Sequence, residues 1–118
     1  GNNFRLRHRD TLIVPQINND VMVDGTVQVF YNSDVFSDTT ISWTPMPHSD
    51  GGITNNYNYT PGAVNVEVTY ILPPGAGGGP QVFPIGDYRY KVVVIPPASL
   101  VKNMNYKDHE MLQAVYGI

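Results

Sequence analysis

In a chain without cysteine, chemistry must come from histidine, carboxylate, amine, hydroxyl or amide groups, and here histidine and glutamate are sparse. The three histidines are His8, His48 and His109; none sits at metal-ligand spacing with another. His48-Ser49-Asp50 holds all three residue types of a hydrolytic triad. Consecutive residues point in divergent directions, however, so they cannot line up nucleophile, base and orienter. They read as turn formers. Glu67 and Glu110 are the only glutamates, and nothing in the sequence pairs them for glycoside chemistry. Asp20, Asp24, Asp34, Asp38 and Asp50 fall in turn contexts without the ordered spacing of an EF-hand loop. The expectation is no catalytic residue, no bound metal and no cofactor.

Binding is the better use of these residue types. In Asn55-Asn56-Tyr57-Asn58-Tyr59-Thr60-Pro61, two tyrosines stand two residues apart, so they share a side if the segment is locally extended. A tyrosine ring is apolar and its hydroxyl polar, and neighbouring amides supply donors and acceptors. Tyr57, Tyr59, Asn56 and Asn58 are therefore the candidate ligand-binding residues, with a place for the tyrosines under the loop as the competing reading. Asn58-Tyr59-Thr60 also matches a glycosylation acceptor. Arg5, Arg7 and Arg9 alternate along one side of the N-terminal stretch, as an anion-binding strip or as the charges of a solvated tether or edge strand. The glycine-rich run Pro73 to Pro80 is no phosphate loop, since no Lys-Ser/Thr follows and no helix opens after it.

Residues of this kind need a scaffold, and 118 residues suffice for one domain with its own core. Only 14% of the residues are charged against 42% apolar, so Asn, Thr, Ser, Gln and Tyr must supply the surface polarity. A net charge of −3 gives no strong basic field and argues against nucleic acid as a partner. No stretch is long enough to cross a membrane. Gly1-Asn2-Asn3 suits the trimmed start of an exported chain, so any membrane attachment is expected through a removed N-terminal lipid anchor.

Period-two segments separated by turn clusters predict an all-β sandwich. Its central strand is expected in Ile85 to Pro97: Tyr88, Tyr90, Val92 and Val94 share one face, while Val93 and Ile95 lie on the other. Both faces are apolar from Val92 onward, so a further layer must cover Val93 and Ile95. Val64, Val66, Val68, Tyr70 and Leu72 form the cleanest alternating strand. Thr11 to Ile17 reads as an edge strand or a bend at Pro15, and Thr40 to Thr44 as a short strand turning Ile41 and Trp43 inward. Asp24-Gly25, between alternating apolar residues, predicts either a hairpin with a three-residue loop or one long strand bulged at Gly25. Pro45 to Gly62 reads as loop, with some local pairing around Ile53 to Tyr59. The C-terminal segment changes period: a helix over 105–116, capped by Asn105 and closed by Gly117, would present Met111, Leu112, Val115 and Tyr116 on one face. That helix is the expected cover. Residues 1–10 are assigned to a tether or edge segment and 11–118 to one sandwich domain.

Thr40-Ile41-Ser42-Trp43-Thr44-Pro45, followed by Asp50-Gly51-Gly52-Ile53, resembles the tryptophan strand and following loop of fibronectin type III domains. Pro84-Ile85-Gly86-Asp87-Tyr88-Arg89-Tyr90 resembles their later tyrosine strand. Residues 1–42 precede the tryptophan, and a helical pattern replaces the closing strand; the broader resemblance, to small immunoglobulin-like domains of bacterial secreted or envelope proteins, accommodates both. It implies an immunoglobulin-like antiparallel sandwich with one short C-terminal helix packed on it, and makes Tyr88 or Tyr90 the tyrosine-corner residue. The resemblance bears on fold more than on function; the expected role is an extracytoplasmic, non-enzymatic binding or adhesion module, monomeric or weakly dimeric, that recognises a partner protein or carbohydrate through its loops. A structural component of the cell envelope joined through an exposed sheet edge is the alternative, and a small hydrolase the last.

Overall fold

Val64, Val66 and Val68 are all buried, as their alternation requires, and they form the spine of the larger of two antiparallel sheets. The structure is a computed structural model describing residues 5–32, 42–50, 52–71 and 89–118. Strand β6 (Ala63–Ile71) pairs on one side with β1 (Arg5–Ile13) and on the other with β5 (Ile53–Thr60), which in turn pairs with the short β4 (His48–Asp50). The second sheet runs in the order β3 (Thr44–Pro45), β2 (Thr26–Asn32), β7 (Arg89–Ile95).

One core lies between the sheets. Val27, Val29 and Tyr31 of β2 meet Val64 and Val66 of β6, with Ile17, Val21 and Met46 closing the ends; Tyr90, Val92 and Val94 of β7 pack against them. A second core lies on the opposite side of the smaller sheet. There Phe30, Val93 and Ile95 meet Leu112 of helix α2 (His109–Tyr116), flanked by Trp43, Met104, Tyr106, Tyr116 and Ile118. The cover expected over Val93 and Ile95 is thus the C-terminal segment. Burying Leu112 alone is worth about 1.5–3 kcal/mol, which an eight-residue helix needs, being unstable by itself.

Five expectations are corrected. Among the described residues β7 pairs only with β2, so β2 is the middle strand of its sheet and β7 is not. Tyr88 and Leu72, like the glycine-rich run, lie outside the described residues.

Asp24-Gly25 makes neither hairpin nor bulge. Asn19–Asp24 is a short helix, α1, because Asn18 Oδ1 accepts the Val21 N–H at 3.0 Å and Val21 anchors the turn in the core. Gly25 serves close approach instead: a Cβ there would stand 2.6 Å from the Ile95 carbonyl oxygen and 2.8 Å from Val21 Cα.

Residues 45–62 hold two further strands, β4 and β5, rather than a loop. Pro61-Gly62 closes the β5–β6 hairpin, with Gly62 at φ 81 in the left-handed region a type II turn uses after proline.

Trp43 stands just before the two-residue β3 and is half-buried against the second core, not sealed between the sheets. Finally, α2 begins at His109, four residues later than expected. Asp108 Oδ1 caps it by accepting the Met111 N–H at 3.1 Å, while Asn105 Oδ1 serves a separate turn through the Lys107 N–H. Of its apolar face Leu112 is buried, whereas Met111 and Val115 stay exposed.

Strand β1 carries a further detail. Register puts His8 opposite Val68 and Asp10 opposite Val66, on the core-side face of the sheet, yet both are exposed. The smaller sheet does not reach over this edge.

Candidate functional site

The hairpin count from Pro61-Gly62 sets Asn58 opposite Asn65 and Asn56 opposite Glu67, and β1 adds Thr11 beside Asn65 and Arg9 beside Glu67. These six residues face away from the core and line a shallow groove of about 400 Å³ on the outer face of the four-stranded sheet. One row is a relay: Thr11 Oγ1 donates to Asn65 Oδ1 at 2.9 Å, and Asn65 Nδ2 donates to Asn58 Oδ1 at 2.9 Å. The next row is ionic. Glu67 Oε2 accepts from Arg9 Nε at 2.6 Å, while Oε1 lies 3.3 Å from Arg7 Nε and accepts from Thr69 Oγ1 at 3.2 Å. The Arg9 bond, followed by the charge of Arg7, outweighs desolvation and holds the Glu67 carboxyl below its usual range. Asn56 Oδ1 takes the Tyr57 N–H at 2.9 Å.

The four candidate ligand residues are therefore divided between two faces of one strand. Asn56 and Asn58 line the groove. Tyr57 and Tyr59 point the other way, half-buried against the inter-sheet core, with rings stacked 6.4 Å apart. The Tyr57 hydroxyl donates to the Val27 carbonyl at 2.8 Å, joining the sheets, and burial followed by the neighbouring Tyr59 raises its pKa. The sequence does not single out Thr11, Asn65 or Glu67 as site residues, and it offers Arg7 and Arg9 only as an anion-binding strip or as the charges of a tether or edge strand. The signal that locates them is Pro61-Gly62, which fixes the register once β5 is known to be a strand.

The histidines are dispersed. His8 is on β1. His48 faces inward on β4, its Nδ1 2.8 Å from the Tyr31 hydroxyl, whereas Ser49 turns outward to Thr54 Oγ1 at 2.6 Å. Strand alternation, not a turn, separates the members of His48-Ser49-Asp50. Asn55, opposite His48, has a buried Oδ1 with no partner among the described residues. No group of three His, Asp or Glu side chains among the described residues could hold a metal ion.

A second concavity, of about 440 Å³, lies where α2 meets the smaller sheet and is lined by Trp43, Lys91, His109, Glu110 and Gln113. Lys91 Nζ donates to His109 Nε2 at 2.9 Å and sits 4.8 Å from the centre of the Trp43 ring. The imidazole packs edge-on to Phe30 and stacks with Trp43. Desolvation, then the charge of Lys91, lowers the His109 pKa against the opposing pull of Glu110 and Asp108. This cluster fastens a helix. Its histidine is neutral because its Nε2 must accept.

No family model, curated protein or solved structure matches the chain.

Proposed function

We propose that the chain is a non-enzymatic binding module of the extracytoplasmic space, built on an immunoglobulin-like pair of sheets, and that it recognises a carbohydrate across the outer face of the four-stranded sheet. The reading rests on the row Thr11–Asn65–Asn58. Three polar side chains from three strands are held in one orientation by their own hydrogen bonds, with no apolar side chain on that face of β5 to explain them by packing. Pre-oriented amides lose little freedom when a ligand arrives, which favours hydrogen-bonded recognition of a polar polymer. Tyr57 and Tyr59 act in this reading as the packed underside that keeps β5 flat. The sequence-based placement of recognition in loops gives way to recognition on a sheet face.

The test is affinity electrophoresis through gels carrying neutral or acidic polysaccharides, comparing the intact chain with Asn65→Leu. At least one polymer should retard the intact chain, and Asn65→Leu should migrate freely while melting like the parent. If no polymer retards the parent, or if a folded Asn65→Leu is retarded equally, the reading fails.

A further inference from the structure

The hydrogen bonds inside the groove bias it toward donors. Each side-chain amide and carboxylate oxygen facing it is already engaged: Asn65 Oδ1 by Thr11, Asn58 Oδ1 by Asn65, Asn56 Oδ1 by the Tyr57 N–H, and both oxygens of Glu67 by Arg9, Arg7 and Thr69. Asp10 belongs to the opposite face, and its Oδ1 takes the Thr11 N–H at 2.9 Å. The N–H groups left toward solvent are Nδ2 of Asn56, Nδ2 of Asn58 and the terminal nitrogens of Arg9, whose bond to Glu67 runs through Nε; beside them the Thr11 hydroxyl oxygen can still accept. The Arg9 side chain is 66% exposed and that of Arg7 44%. Arg7 and Arg9 around the Glu67 carboxylate make a local excess of one positive charge, partly offset by Asp10 on the other face of the same strand, on a molecule whose total is −3.

Resting on the carbohydrate reading above, we infer that the preferred ligand is an acidic polysaccharide of the uronic-acid type, its carboxylate at Arg9 and its hydroxyl and ring oxygens over the amides of Asn56 and Asn58. A surface with several free N–H donors and one exposed guanidinium suits a ligand that accepts at many positions. Every oxygen of a uronic acid accepts, and its carboxylate does so with charge assistance. An extended acidic peptide presents backbone N–H groups as well. Those would meet the Asn N–H groups donor to donor and go unpaired on binding. The groove also offers no aromatic platform, which a neutral sugar would need in place of charge.

The experiment uses polygalacturonate, its methyl-esterified form, dextran and poly-L-glutamate as probes in affinity electrophoresis and titration calorimetry at two salt concentrations. Polygalacturonate should bind best and weaken as salt rises. The key variant is Asn58→Asp, which keeps the oxygen that Asn65 uses and exchanges the free amide for an anionic oxygen of the same shape. It should bind polygalacturonate about tenfold or more weakly, the equivalent of losing one charge-assisted bond. Arg9→Gln should weaken binding of the acid by a larger factor than binding of the esterified polymer. Equal binding of the acid and the ester overturns this inference while leaving the carbohydrate reading standing; tighter binding of poly-L-glutamate overturns the saccharide; and no binding of any saccharide removes both. A folded Asn58→Asp that binds polygalacturonate as tightly as the parent also overturns it.

Discussion

The two sheets turn the same kind of face toward each other and opposite kinds of face outward. Behind β5 and β6 the outer surface is a lattice of Asn, Thr, Arg and Glu in contact with water. Behind β2 and β7 it is Phe30, Val93 and Ile95 sealed under Leu112. Strand alternation accounts for both. In β6 Asn65, Glu67 and Thr69 alternate with the buried valines, whereas the end of β7 is apolar on both sides. The comparison separates two states of a sheet: a dry outer face commits the chain to spending a helix on stability, and a wet one stays open to solvent.

The contrast is most easily broken by removing the cover. A chain ending at Lys102 loses α2 and returns Phe30, Val93 and Ile95 to water, at an expected cost above about 3 kcal/mol, a large share of a domain's usual reserve. Its melting temperature by differential scanning calorimetry should fall far below that of the intact chain, and an unchanged one would show that the helix contributes nothing. Leu112→Ala keeps the helix and opens a cavity beneath it, for an expected loss of about 2–5 kcal/mol in urea unfolding.

Acid should loosen the dry side before the wet one. His109 titrates near pH 6.5 in the unfolded chain and lower in the fold. Its contribution is complete above that value and is lost as pH falls through the lower, folded pKa, because the unfolded state then binds the proton more readily. Protonation would set an imidazolium against Lys91 Nζ and at the positive end of α2. The urea midpoint should therefore drop between neutrality and the folded pKa, and His109→Gln should lack that step. Glu67, whose carboxyl is held low, loses its contribution only in a more acid window, as pH falls below the ordinary carboxylate range. The smallest effect belongs to the wet face. Glu67→Gln breaks exposed ion pairs and should cost less than about 1 kcal/mol in water.

Where alternation was clean the fold was legible. Val64, Val66 and Val68 announce β6, and the two-sided apolar end of β7 calls for a third layer that the C-terminal segment supplies. What misled were residues with strong local preferences overridden by packing. Asn-rich β5 has poor strand propensity, but Tyr57 and Tyr59 anchor it from beneath and a tight hairpin pins it to β6. Asp24-Gly25 carries a hairpin signal, yet the Asn18 cap and the buried Val21 make a helical turn and leave Gly25 to admit the Ile95 carbonyl. Of the site, Asn56 and Asn58 were legible as polar contacts. Their division from the tyrosines was not, because it depends on the segment being a strand.

The uncovered underside of β1 governs how the molecule behaves when crowded. Among the described residues β1 is an edge strand, and such an edge would otherwise invite a second copy to add a strand and then a third, the growth mode of insoluble fibrils. A copy laid against this edge and stacked sheet to sheet would have to seal His8 and Asp10 against apolar neighbours, and an unpaired carboxylate resists that strongly. Asp10→Val should therefore turn a chain whose light scattering is flat with concentration into one that scatters increasingly, leaving its melting temperature nearly unchanged. The two residues work as solubility guards, keeping the outer groove's sheet from growing by the protein's own strands.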